Sequence, residues 1–225
     1  MRRNHDKGEC FMIWYLPSCA FTRRHPETSE RFCTWLKDRG VGIAGCCKEH
    51  GGEFAPGDTV LYNCVSCVLS VEEQSPGAHP LSVYEYLLDQ DDFPWPDLNG
   101  EEIVIQDCLR ARSRTALQAA AREDLKRMNA RPVELADRGA SCTFDGVFLM
   151  KPLPERTIHA APRAYGEIAN FVTLRSEDEQ ERLMREHAAL IAPRRVAAYC
   201  NSCFAGLLKG GANAVHLLDL ICSRL

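Results

Sequence analysis

Two tracts of this chain carry cysteines in the same order. The first holds Cys19, the adjacent pair Cys46 and Cys47, and Cys64-Val65-Ser66-Cys67; the second holds Cys108, Cys142 and Cys200-Asn201-Ser202-Cys203. Nine of the twelve cysteines belong to this repeat. Thiolates gathered at short spacings suit zinc or iron-sulfur clusters. The repeat therefore constrains the fold as well as the chemistry, because each half must bring three separated sequence sites to one place.

The segments around the cysteines repeat too. An apolar run, Phe11 to Leu16, leads to Cys19, and Ile103-Val104-Ile105 leads to Cys108; both read as buried strands. A helix follows each, from Pro26 through Leu36 to Gly40 and from Thr115 to Met128, with start and stop signals at the ends of the first. Short strands at 41–44 and 132–135 lead to the Cys46/Cys47 and Cys142 sites. Strands at 59–63 and 195–199 precede the two CxxC sequences, and apolar helical segments, 82–88 and 214–220, close each half. This order is an internal duplication. Alternating strands and helices predict α/β units with parallel strands, in which functional groups collect at strand carboxyl ends. The expected architecture is two duplicated small α/β cysteine-rich domains related by pseudo-twofold symmetry, residues 1–92 and 93–225. The tract 89–100 is acidic with two prolines and a glycine and reads as the linker. Within the second half, a proline-rich tract from Lys151 to Pro162 reads as irregular, and a charged helix from about Ser176 to Leu190 follows it. Together, residues 151–190 form an insertion suited to a cover or a partner surface.

Composition narrows the function. A formal charge of −4, with 31 acidic against 27 basic residues, supplies no basic stripe for nucleic acid. The apolar run after the basic Met1-Arg2-Arg3 start is too short for a secretory signal, and no stretch of eighteen apolar residues predicts a membrane span. A cytoplasmic location is expected. There, cysteines in such numbers point to metal ligands or redox thiols rather than a disulfide framework.

On these motifs the chain resembles the cysteine-rich (CCG) domain family typified by the cysteine-rich subunit of heterodisulfide reductase, together with the related iron-sulfur subunits of glycolate and lactate oxidation systems. The resemblance runs from about Phe11 to Ile221 and includes the ending Val215-His216-Leu217-Leu218. It implies an iron-sulfur oxidoreductase subunit that transfers electrons and reduces a disulfide or related small substrate at a noncubane 4Fe-4S cluster. The implied ligands of that cluster are Cys19, Cys46, Cys47, Cys64 and Cys67, with the chemistry centred on Cys46 and Cys47. It also implies a flavoprotein or ferredoxin-like redox subunit as partner. The second half departs from the pattern, since Thr143 follows Cys142. Its four thiols, Cys108, Cys142, Cys200 and Cys203, suit a cubane 4Fe-4S cluster or zinc. The first half departs as well: Lys48 follows Cys47, and the short span from Cys47 to Cys64 omits a crossover helix, which would open the cluster or end its chemistry.

Other residues bear on the sites. His50 is a candidate proton donor beside the Cys46/Cys47 pair. Arg110, Arg112 and Arg114 follow Cys108 and are either cations tuning a cluster or a solvated segment. Asp145 is either an oxygen ligand or a turn residue before Gly146. His216 reads as a hydrogen-bonded interface histidine, and Cys10, Cys33 and Cys222 read as packing residues. The alternative function is a non-catalytic scaffold or electron-relay subunit stabilised by zinc or a cluster. A metal-free thiol redox protein using Cys64/Cys67 or Cys200/Cys203 explains fewer of the cysteines.

Overall fold

The computed structural model describes residues 11–225, so Cys10 lies outside the described residues. The chain is α/β, with two four-stranded sheets in which every pairing is parallel. The first half contains β1 (Ile13–Leu16), α1 (Cys19–Arg24), α2 (Pro26–Lys37), β2 (Gly42–Ile43), α3 (Cys47–His50), β3 (Thr59–Tyr62), α4 (Val65–Gln74), β4 (His79–Ser82) and α5 (Val83–Leu88). The second contains β5 (Glu102–Gln106), α6 (Thr115–Arg127), β6 (Arg131–Glu134), α7 (Glu155–Ala160), α8 (Pro162–Ile168), α9 (Glu177–Ala189), β7 (Arg195–Ala198), α10 (Asn201–Lys209), β8 (Ala214–His216) and α11 (Leu217–Ile221). The strand orders are β2-β1-β3-β4 and β6-β5-β7-β8, the same plan in both sheets.

The central strands β1, β3, β5 and β7 are apolar because helices cover both faces of a parallel sheet. Their side chains are correspondingly buried: Tyr15, Leu16, Val60, Leu61, Val104, Ile105, Val196 and Ala197. Local signals fix the helices. Pro26 occupies the first turn of α2, where its missing N–H costs nothing. Ser82 and Glu85 form a capping box at α5, as do Ser176 and Glu179 at α9. One continuous core joins the two sheets, running from Tyr15, Phe32 and Leu61 to Ile103, Val196 and Ile221. A smaller cluster of Leu16, Cys47, Phe54, Val60, Cys67 and Val71 lies beneath the first cysteine set.

Three expectations change. The segments 82–88 and 214–220 are not helical throughout, because β8 occupies Ala214–His216 ahead of α11, and β4 ends at the Ser82 cap of α5. Both are edge strands of three or four residues. Such strands are too short to show a period, and an edge accepts Pro80. The tract 151–162 is not wholly irregular: Pro154 precedes α7 and Pro162 begins α8, so its prolines mark helix starts. Finally, His216 is fully buried but neither ring nitrogen has a hydrogen-bond partner.

Asp124 of α6 is also fully buried, with no partner for either carboxylate oxygen. Burial pushes its pKa well up, with a smaller contribution from Glu123. A carboxyl neutral in the fold but ionised in the unfolded chain costs stability as pH rises. Asp124→Asn, which keeps the shape and never ionises, is expected to stabilise the chain by about 1–3 kcal/mol at pH 8. The gain should fade by pH 4, as urea denaturation at the two pH values would report. Equal stability at pH 8 would show that Asp124 is ionised and solvated.

Candidate metal centres

All six cysteine sites follow strand carboxyl ends. Cys19 starts α1 after β1, Cys46 caps α3 after β2, and Cys64 caps α4 after β3. In the second half, Cys108 follows β5, Cys142 ends a 3-10 turn (Gly139–Ser141) after β6, and Cys200 caps α10 after β7. In each CxxC the first cysteine is the cap and the second lies in the first turn, so both thiols converge at a helix start.

The second-half site is compact. Ligand atoms of Cys108, Asp145, Cys200 and Cys203 all lie within 4.8 Å of one another. Among the described residues this is the one group of three or more Cys, His, Asp or Glu side chains gathered so closely. All four residues are buried. Cys142 is buried too but stands outside this group, with its thiol 3.7 Å from the Phe144 carbonyl oxygen. Burial pushes the Cys142 thiol up to about 12. The structure thus gathers three of the four expected second-half thiols and brings the Asp145 carboxylate to them.

The donor set fits a single ion. Sulfurs around one tetrahedral zinc at the usual bond length are roughly 3.8 Å apart, within the spread observed. In a cubane each thiolate binds a different iron, so the sulfurs stand further apart. Cys200 is held well below the ordinary thiol range by the neighbouring thiols of Cys108 and Cys203. Cys203 is pushed well up by burial.

Two devices hold this site. Asp107, directly before Cys108, accepts from Tyr199 Oη at 2.9 Å, the Gly139 N–H at 2.7 Å and Arg122 Nη2 at 2.7 Å. It thereby ties together the loops after β5, β6 and β7. Burial opposes its ionisation, but these donors win and hold its pKa below the ordinary value. Gly146 allows the Asp145 turn to approach α10: its φ is +57°, and a Cβ there would lie 2.0 Å from the Ser202 carbonyl oxygen. Only glycine tolerates both conditions.

The first-half site is looser and more open. Cys19 is exposed and Cys46 and Cys64 are half-buried, whereas Cys47 and Cys67 are buried. The Cys67 thiol neighbours those of Cys47 and Cys64 and holds both below the ordinary range, Cys64 at about 6. Cys19 is raised by burial and then by the nearby Cys46, Cys64 and Cys47. His50 is paired with Glu53 at 2.8 Å rather than with a thiol. Lys48 hydrogen-bonds Thr157 of α7.

The first half has no long crossover helix between β2 and β3, since only α3 lies there. The gap is filled from the other half. α7 packs on α3 and α4, Arg156 Nη2 lies 3.5 Å from Cys46 Sγ, and Gln74 Nε2 donates to the Ala160 carbonyl at 2.7 Å. Glu73 of α4 accepts from the N–H groups of Arg163 and Ala164, at 3.1 and 2.6 Å, and so caps α8. The α7–α8 part of the insertion thus packs over α3 and α4 beside Cys46, whereas α9 packs on α10 of its own half. Removing this cap in Glu73→Ala should cost about 1 kcal/mol locally. Opening of the cover, read as alkylation of buried Cys47, should then rise roughly fivefold. An unchanged rate would mean that Cys47 is reached without moving α7 and α8.

The three arginines after Cys108 are all committed to protein partners. Arg110 pairs with Asp145, Arg112 donates to the Cys142 carbonyl at 2.5 Å, and Arg114 pairs with Glu72 at 2.7 Å. The reading of Arg110 as part of a solvated segment is overturned, because its side chain is 3 % exposed. Cys33 and Cys222 pack against or within the core, as expected.

No protein-family model, no curated protein and no solved structure matches this chain.

Proposed function

We propose that this chain is a redox subunit with two unlike thiolate centres. The observation carrying the reading is the buried group of Cys108, Asp145, Cys200 and Cys203. It is a closed site for one metal ion, zinc by its sulfur-rich set of four donors. Enclosed ligands leave no route for a substrate, so this ion stabilises the fold and shapes its surroundings.

The first-half set, Cys19, Cys46, Cys47, Cys64 and Cys67, is the centre for chemistry. Its thiols form no group as compact as the second-half site, its rim at Cys19 is open to solvent, and a multi-iron cluster binds each thiolate at a different iron. Its resemblance to the cysteine-rich subunit of heterodisulfide reductase adds the reaction class: electron transfer from a flavoprotein or ferredoxin-like partner and reduction of a small disulfide. Such a cluster would supply the electron-accepting chemistry; the chain supplies five thiolates, the cover of α7, and the cations Lys48 and Arg156 around them.

Anaerobic purification, iron and acid-labile sulfide analysis, and EPR spectroscopy test this reading. The expected result is one zinc together with iron and sulfide. Loss of the EPR signal is expected in Cys46→Ser, with zinc retained. A colourless protein that takes up no sulfide on reconstitution would leave only the metal-stabilised scaffold.

A further inference from the structure

Arg110 is a heavily committed side chain whose partners lie in both halves. Its Nε donates to Asp145 Oδ2 at 2.8 Å, and its Nη2 faces Asp145 Oδ1 at 3.0 Å, Ser202 Oγ at 2.5 Å and Cys200 Sγ at 3.6 Å. Its Nη1 donates to Ser66 Oγ at 2.7 Å. Phe148 lies against the guanidinium face, 4.2 Å from ring centroid to Cζ. Ser202 and Ser66 are the corresponding inner residues of the two CxxC sequences. One planar group therefore touches an expected ligand of the second-half ion, the turn that carries two more, and the turn that carries Cys64 and Cys67 in the other half. A second contact crosses the halves nearby, where Asn201 Nδ2 donates to Ser18 Oγ at 3.2 Å, next to Cys19.

We infer that Arg110 is a positioning residue that couples the two centres, so that metal binding at Cys108, Asp145, Cys200 and Cys203 fixes the Cys64–Cys67 turn of the first half. The physical basis is the stiffness of the guanidinium. Its donors lie in a fixed plane, so Asp145 and Cys200 cannot draw toward an ion without carrying Nη1 and its bond to Ser66 with them. Arg110 and Asp145 are buried, so water replaces their paired bonds poorly, while Ser66 at the far end is half-buried. A lysine, with one compact ammonium, keeps the charge beside Asp145 but cannot serve both turns at once. The inference rests on the reading of the second-half group as a metal site.

The test uses the full chain carrying Cys19→Ala, Cys46→Ala and Cys47→Ala, so that the first half no longer competes for metal. Cobalt is added, and its thiolate charge-transfer absorption reports second-site binding. Alkylation followed by peptide mass spectrometry reports the reactivity of Cys64 with and without cobalt. Loading is expected to slow Cys64 alkylation at least fivefold in this parent chain. Adding Ser66→Ala, which cuts only the far end of the bridge, should leave cobalt affinity within twofold and reduce the protection of Cys64 to less than twofold. Arg110→Lys should lose the protection likewise while still binding cobalt. A merely structural role for Arg110 would not make Cys64 respond to metal. Equal protection in parent, Ser66→Ala and Arg110→Lys overturns the inference, and so does absence of protection in a parent that binds cobalt. A parent with no charge-transfer absorption overturns the metal site itself, and the inference with it.

Discussion

Replacing Asp145 with alanine is expected to destabilise the metal-free chain by about 3–5 kcal/mol, the cost typical of removing one partner from a buried ion pair. Arg110 is buried to 3 % and Asp145 to 1 % side-chain exposure. The arginine remains charged at any accessible pH, so Asp145→Ala strands a cation where water cannot reach it. Ser66 and Ser202 would still accept from it, but hydroxyls offer dipoles in place of a charge. The double replacement Arg110→Met/Asp145→Leu should cost much less than Asp145→Ala alone, because apolar pairs often substitute for buried ion pairs at little loss. Guanidinium denaturation in the presence of a chelator measures both. With zinc present the gap between wild type and Asp145→Ala should widen, since a ligand that binds only the folded state adds to stability. A loss below 1 kcal/mol without metal would mean that the pair is solvated.

Asp145 also marks where the sequence is legible and where it stops being so. The six cysteine sites can be assigned to strand ends because strand, helix and cysteine recur together, and that periodic order survives in both sheets. Which atoms meet at those ends is much less legible. Asp145 followed by Gly146 carries the ordinary signature of a turn, and its approach to Cys108 depends on the contact of Gly146 with Ser202, more than fifty residues away. Cys142 matches the spacing pattern, yet the 3-10 turn at Gly139–Ser141 leaves it beside the Phe144 carbonyl. Asp107 has no motif of its own, and an acid placed directly before a strand-end cysteine is the one signal for it. Arg110 reads as either a cation tuning a cluster or part of a solvated segment; only the meeting of the two halves reveals that it has partners on both sides. The insertion is legible as a separate segment suited to a cover or a partner surface, but α7 within it is not legible as a helix, since prolines at helix starts resemble loop prolines in sequence.

The sharpest dependence on pH should come from His216. Burial, with a smaller push from His25, lowers its pKa to about 3, while Cys200 pulls weakly the other way. The ring sits among Phe21, His25 and Phe204, at centroid distances of 4.7, 5.9 and 5.8 Å. Of the groups around it, His25 faces Asp219 at 3.2 Å, so that carboxylate is already engaged. Protonation of His216 would therefore place an unpaired cation in an aromatic pocket. The unfolded histidine titrates near 6.5, so below that pH the unfolded chain binds a proton that the folded chain refuses. Stability present above pH 6.5 is then lost progressively as pH falls toward 3. Between pH 7 and pH 5 this single group should remove about 2 kcal/mol, before most carboxylates begin to titrate. His187, lowered chiefly by burial, acts in the same direction. His216→Phe keeps an aromatic ring in the pocket and should abolish the His216 share of the loss, leaving a shallower slope in denaturation midpoints measured at pH 7, 6 and 5. An unchanged slope in that variant would place the proton elsewhere, or would mean that His216 becomes charged without leaving the fold.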